Sequence, residues 1–212
     1  MAIAEFESGA LERRVREGDR SALATLFGAH EGRLLRWVEL RLDPRLKGRL
    51  APDDVVQDVY LAAERRLEHF TRLTDMPFSV WVRLLAGQCL VDAHRRHLGA
   101  LARDAGREVG IFEPGPTTSA ANLAARLAGD LTSPSEAAIR KETCRLLLEA
   151  VEAMDPLDRE VLALRHFDEL SNDEVARLLV ISKGTASKRY VRALGRLRTA
   201  LEHIGGLVDV VK

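Results

Sequence analysis

Apolar residues recur every three or four positions along most of this chain, and the runs end at prolines. Leu23, Leu26, Phe27, Leu34, Leu35, Trp37, Val38 and Leu42 form one such run, closed by Asp43-Pro44. Pro52 opens the next, followed by Asp53 and Asp54. That order suits a helix start, because proline lacks only a donor that has no partner there, and carboxylates favour the positive helix end. Val55, Val56, Val59, Tyr60, Ala63 and Leu67 supply its apolar face, and Met76-Pro77 breaks the chain again. A third helical stretch is predicted from Phe78 to Leu98. Further on, Ile139, Cys144, Leu147, Leu148, Val151 and Met154 mark a helix stopped by Asp155-Pro156, and Leu157, Val161, Leu162, Leu164 and Phe167 mark another.

The two helical blocks are separated by residues of different character. Between 102 and 135 lie Gly106, Gly110, Pro114, Gly115, Pro116 and Pro134, and turn formers displace the apolar period. A short helix fits around Leu123 to Leu127. The reading is an all-α fold of two small helical domains, 8–101 and 136–204, joined by a flexible linker at 102–135 and followed by a tail at 205–212. A structureless stretch of that length is unusual inside one compact domain.

Composition narrows the function. Of 212 residues, 46% are apolar, 5% aromatic and 30% charged, and the formal net charge is zero. A neutral chain binds nucleic acid only through local patches. Cys89 and Cys144 stand far apart without metal-ligand spacing, which fits a reducing compartment. The first residues show no basic region followed by an apolar run, and no stretch approaches the length of a membrane span. A cytoplasmic, soluble protein is expected.

The clearest chemistry lies between Ser171 and Ala200. Ser171-Asn172-Asp173-Glu174 has the form of a capping box, and a short helix with Val175, Ala176, Leu178 and Leu179 follows. After Val180-Ile181, Ser182 is placed to cap a second helix. Two short helices joined by a tight turn make a helix-turn-helix. The second carries Lys183, Lys188, Arg189, Arg192, Arg196 and Arg198 without an acid from 183 to 198, while Ala186, Tyr190, Val191, Ala193, Leu194 and Leu197 supply a stripe for burial. Such a helix can enter the major groove. Ser187, Lys188, Arg189 and Arg192 are expected near base edges, and Lys183, Thr185 and Arg196 near the backbone. A basic, solvated surface helix is the plainer alternative. Val180 falls where the turn calls for a left-handed backbone, which suits glycine.

On these residues a family resemblance is plain. Pro156-Leu157-Asp158-Arg159-Glu160-Val161-Leu162, Leu164-Arg165, Phe167 and Ser171 through Arg198 resemble the C-terminal domain of sigma factors. Asp53-Asp54-Val55-Val56-Gln57-Asp58-Val59-Tyr60 resembles the helix that docks on the polymerase clamp. Phe78-Ser79-Val80-Trp81-Val82-Arg83, with Ala86, Asp92, Arg95 and Arg96, resembles the helix that melts and reads the minus-ten element. The chain is thereby identified as a member of the extracytoplasmic-function group of the sigma-70 family.

The resemblance implies a non-enzymatic initiation subunit without cofactor or metal. Its partners would be core RNA polymerase (clamp and flap), promoter DNA and, in some members, an anti-sigma factor. It implies polymerase contacts at Asp53, Asp54, Gln57, Asp58 and Tyr60, and minus-ten contacts at Trp81, Arg83, Gln88, Asp92, Arg95 and Arg96. The helix-turn-helix residues above would read the minus-thirty-five element. Gln88 stands where the family commonly has asparagine. Family members are also controlled by phosphorylation or by supply, and Thr117, Thr118 and Ser119 read as exposed.

Two other functional classes fit less of the sequence. A stand-alone regulator with a helical sensor or dimerisation domain explains the helix-turn-helix but not the acidic helix before the Trp81–Arg96 stretch. An enzyme would need a catalytic frame that the sequence lacks. His94 and His97 sit three apart, but Arg95 and Arg96 beside them repel a cation, so a surface histidine pair is the better reading.

Overall fold

The computed structural model describes residues 2–46, 48–98, 117–131 and 137–202. Among these residues all regular structure is helical: α1 Ala2–Arg16, α2 Arg20–Arg41, a 3₁₀ turn Pro44–Leu46, α3 Pro52–Arg65, α4 Leu67–Arg72, α5 Phe78–Leu98, α6 Ala120–Leu131, α7 Ala137–Glu152, α8 Pro156–His166, α9 Asn172–Leu178 and α10 Lys183–Glu202. The chain divides into two compact units, 1–116 and 117–212.

In the first unit, α2 starts because Asp19 accepts hydrogen bonds from the backbone N–H groups of Ser21 (2.9 Å) and Ala22 (3.3 Å). Gly18, at φ 92°, makes the turn that brings Asp19 there. Helices α1, α2, α3 and α5 pack around Leu23, Leu26, Leu34, Trp37, Val38, Val55, Val59, Val82 and Leu90, all nearly inaccessible to water. An aromatic cluster closes one end: Phe70 stacks on Trp81 with ring centroids 4.6 Å apart, and Phe78 meets Phe70 edge-on at 5.6 Å. Arg16 lies over Phe70 at 4.4 Å and donates to the carbonyls of Leu73 (2.6 Å) and Met76. Glu12 accepts the N–H of Phe78 (3.3 Å). Two α1 side chains thus hold the 73–77 connection and satisfy an orphan donor at the start of α5.

In the second unit, α6 packs on α7, while α10 packs on α7, α8 and α9. Leu123, Leu147, Val151, Val161, Leu164, Val175, Ala186, Ala193 and Leu197 form its core. Helix α6 is longer than the Leu123–Leu127 segment expected from sequence and belongs to this unit. Its apolar face (Leu123, Ala124, Leu127 and Ala128) is buried, which explains why it forms amid turn residues. Thr118 donates through its N–H (2.9 Å) and hydroxyl (2.7 Å) to the buried Glu160 carboxylate on α8. Thr118 is therefore buried, contrary to the exposed position expected of it, whereas Thr117 is exposed. Residues 102–116, 132–136 and 203–212, where the rest of the expected linker and the tail fall, lie outside the described residues.

Candidate nucleic-acid interface

Both helices of the pair after residue 170 begin as their capping residues dictate. Ser171 Oγ accepts the N–H of Glu174 (3.2 Å), and the Glu174 carboxylate accepts the N–H of Ser171 (2.9 Å). Ser182 Oγ accepts the N–H of Thr185 (3.1 Å) and lies 2.8 Å from the Thr185 hydroxyl, so Thr185 is part of the cap. Between them α9 ends in a Schellman turn: the N–H of Ile181 donates to the carbonyl of Ala176 (2.9 Å) and that of Val180 to Arg177 (3.3 Å). Val180 takes the left-handed position at φ 53° and is 83% exposed. A β-branched residue there is strained, and its side chain gains nothing from burial. Val180→Gly is expected to stabilise the chain by about 1 kcal/mol, read as a rise in melting temperature of a few degrees. An unchanged or lower melting point would show that the strain is absent.

Helix α10 buries Ala186, Ala193, Leu197 and Leu201 and turns Gly184, Ser187, Lys188, Val191, Arg192 and Gly195 outward. Its cations are not equivalent. Lys183 pairs with Asp173 (2.5 Å), and Arg198 with Glu202 (3.1 Å). Arg196 donates to the carbonyl of Ala153 (2.5 Å). Arg189 and Arg192 both reach Asp158 on α8, a carboxylate with no exposed surface. Burial drives the Asp158 carboxyl upward, but the hydrogen bonds from Arg192 and Arg189 outweigh it and hold the group below the usual carboxylate range. Lys188, exposed and with no salt-bridge partner among the described residues, is left as the free cation of the outward stripe. Asp158 escaped sequence reasoning: its partners lie 31 and 34 residues away, so no local pattern announces them.

On the first unit, α3 presents Asp53, Asp54 and Gln57 exposed at its start. Ala51 before it has no capping side chain, so Asp54 accepts the N–H of Ala51 (3.4 Å) instead. Asp58 is half-buried and pairs with Arg96 of α5 (3.1 Å). Tyr60 packs edge-on against Phe27 at 5.1 Å and donates its hydroxyl to Glu64 (3.0 Å). The acid cluster expected here is therefore split, with Asp53 and Asp54 exposed at the tip, Asp54 capping the helix, and Asp58 engaged with the neighbouring helix.

Comparison with known proteins places this geometry. The Sigma-70, region 4 family model matches residues 144–197, the helix-turn-helix with the two helices before it. The RNA polymerase sigma-E factor of Streptomyces antibioticus is 42% identical over 57 residues, 27% of this chain and 32% of that protein, so this match spans about a third of that relative's length. The ECF RNA polymerase sigma factor SigD of Mycobacterium tuberculosis is 28% identical over 188 residues, 89% of this chain and 81% of that protein. Residues 144–197 thus carry a sigma-70 region 4 domain, and the relatives matched along most of the chain are extracytoplasmic-function sigma factors. The chain is a sigma factor, a subunit that directs transcription initiation. A solved structure, that of CnrH in complex with the cytosolic domain of CnrY, shares the fold: TM-score 0.54, 21% identity, 92% of this chain and 96% of that one.

In this sigma factor, α5 separates the residues that sequence had grouped. Gln88, Asp92, Arg95 and Arg96 are exposed, with Asp92 paired to Arg95 (2.7 Å). Trp81 and Arg83 are not: they are 3% and 2% exposed, Trp81 within the aromatic cluster and Arg83 donating to the carbonyl of Ser79 (2.8 Å). Both fall on the inner side of α5, so neither offers its side chain to unpaired bases in this structure, a correction to the expectation above. Arg66, at the end of α3, was missed; it donates to the Gln88 amide oxygen. An arginine has only donors, so it is the oxygen of the Gln88 amide, not its NH2, that meets Arg66.

His94 likewise departs from a surface pair. It is half-buried, its Nε2 accepts the N–H of Asp43 (3.3 Å), and burial holds its pKa down. Among the described residues no cluster of three or more His, Cys, Asp or Glu is placed to hold a metal, and no helix is long and apolar enough to cross a membrane.

Acid should weaken the fold through three depressed carboxyls. Asp19 is lowered to about 2 by the Ser21 hydroxyl and Arg14, Asp43 to about 2 chiefly by Arg45, and Asp158 is lowered as described. The unfolded chain takes up protons first, near 3.8, so the stability these groups confer is present above that pH and is lost as pH falls toward 2. Thermal melts from pH 5 to 2 are expected to show a fall of roughly 5 °C or more, flattened in Asp43→Asn and Asp158→Asn. A melting point constant over that range would refute it.

Proposed function

We propose that this sigma factor binds core RNA polymerase through the acidic tip of α3, with Asp53, Asp54 and Gln57 as the contact and Asp58 and Tyr60 shaping it. A region 2-like domain at 8–101 would open and read the minus-ten element with Gln88, Asp92, Arg95, Arg96 and Arg66. Trp81 and Arg83 support that face from within. A region 4-like domain at 136–204, extended by α6, would read the minus-thirty-five element as duplex. Ser187, Lys188 and Arg192 would face base edges there, with Lys183, Thr185 and Arg196 nearer the phosphates and Arg189 held inside. Because one chain carries both domains, each weak contact would raise the effective concentration of the other. A cytoplasmic location follows from that work. A protein partner of the anti-sigma kind is a further expectation from the resemblance; CnrH, which shares the fold, was solved in complex with the cytosolic domain of CnrY.

The observation that carries this reading is the acid-free outer stripe of α10 behind a capped turn, in a chain whose net charge is zero. The test is pull-down of the purified chain with bacterial core RNA polymerase, followed by run-off transcription from a pool of promoter fragments. Discrete transcripts that require the chain are expected. A folded chain that never associates with core polymerase, at low or physiological salt, would remove the reading.

A further inference from the structure

Asp158 grips its two arginines differently. Arg189 Nη1 lies between Asp158 Oδ1 (2.7 Å) and Asp155 Oδ1 (3.1 Å), and its side chain is only 22% exposed. Arg192 is held along one edge: Nε donates to Oδ2 (2.7 Å) and Nη2 to Oδ1 (2.8 Å), while the side chain stays 52% exposed. A guanidinium is a rigid planar fork with five donors, so fixing the Nε–Nη2 edge fixes the direction of the other. That other edge, Nη1 with the second hydrogen of Nη2, makes no hydrogen bond or ion pair among the described residues.

Its setting points to a base rather than a phosphate. Arg192 follows Gly184 and Lys188 at spacings of four, on the side of α10 away from Ala186, Ala193 and Leu197. Neighbouring Val191 is 65% exposed, and nothing lies within 4 Å of where a Cβ on Gly195 would stand, so this face can approach a groove closely. Asp158 also offsets the charge of Arg192, which weakens its pull on phosphates while leaving its hydrogen-bond geometry intact. A fork with reduced charge and fixed aim suits an acceptor pair of fixed geometry, and guanine O6 and N7 are that pair in the major groove.

We infer that Asp158 is a positioning residue that aims Arg192 at a guanine edge of duplex DNA, while Arg189 serves the carboxylate and not the DNA. The inference rests on the reading of α10 as a duplex-binding helix.

The test is selection of sites by the full chain from duplexes randomised over ten base pairs, with wild type, Asp158→Asn, Arg192→Lys and Arg189→Gln compared at one salt concentration and folding checked by circular dichroism. Wild type is expected to enrich a guanine at one position. Asp158→Asn and Arg192→Lys should each flatten that preference about tenfold while sparing the other positions, and Arg189→Gln should leave it intact. If Asp158→Asn melts below the assay temperature, Asp158→Glu, which displaces the carboxylate by one methylene, should flatten the same position. Preference kept when Asp158 is changed but lost in Arg192→Lys would overturn the positioning role. A uniform loss at every position would overturn it too, since that is the signature of a phosphate contact or of general destabilisation. A wild-type chain that enriches nothing would overturn the duplex reading of α10 and this inference with it, before any variant is compared.

Discussion

Trp81→Ala is expected to destabilise the first unit by roughly 3–5 kcal/mol, lowering its thermal transition by on the order of 15 °C. Trp81 is 3% exposed and stacked on Phe70, itself fully buried. Truncation would remove the largest side chain of the aromatic cluster and leave a cavity under the 73–77 connection that Arg16 holds. Trp81→Phe keeps the stacking and most of the volume and should cost about a third as much. The comparison separates two roles. A tryptophan that worked only by stacking on unpaired bases would leave the melting point unchanged when truncated and would impair promoter opening alone. That result in Trp81→Ala would show that the side chain leaves the core.

Reversing two charges in Asp53→Arg/Asp54→Arg is expected to weaken binding to core RNA polymerase on the order of a hundredfold, measured with the purified core enzyme at fixed salt. Both carboxylates are exposed at the tip of α3, and neither has a salt-bridge partner among the described residues. Cations at a helix N-terminus oppose its dipole, and Asp54 also accepts the Ala51 N–H, so a folding cost of about 1–2 kcal/mol is expected as well. That cost is too small to unfold a domain of ordinary stability. Asp53→Asn/Asp54→Asn serves as the control, removing charge without repulsion, and should fall between. Asp58 is a poor choice for this test because its reversal would also break the pair with Arg96 on α5. Affinity that is insensitive to the reversal, at low as well as physiological salt, would place the polymerase contact elsewhere on the chain.

What the two predictions share is a distinction between residues that one helix carries side by side. Trp81 and Arg83 precede Gln88 and Arg95 on α5, and all four read as nucleic-acid chemistry from their types alone. A sequence lists them together; the rotation of the helix against α2, α3 and the Phe70 ring of α4 decides which face inward. The helix is apolar enough around its circumference that its period leaves the buried side undecided, and an arginine inside, as Arg83 is, runs against every composition rule.

Local chemistry was legible where cause and effect are close in the chain. The Ser171–Glu174 capping box, the Ser182 cap, the starts at Pro52 and Pro156, the left-handed strain at Val180 and the helical character of both blocks all rest on contacts within a few residues. Hydrophobic period and capping are short-range properties, so most of the helices, the helix-turn-helix and, through their order, the family resemblance can be read from the chain alone. Tertiary packing settles which cations of α10 remain available, because Asp158 and Asp155 meet them across 31 to 34 residues of chain. It likewise assigned α6 to the second unit, buried Thr118 against Glu160 and set Arg66 on Gln88. An ion pair is chosen by the packing that brings two side chains within a few ångströms, and no periodicity along the chain encodes that distance.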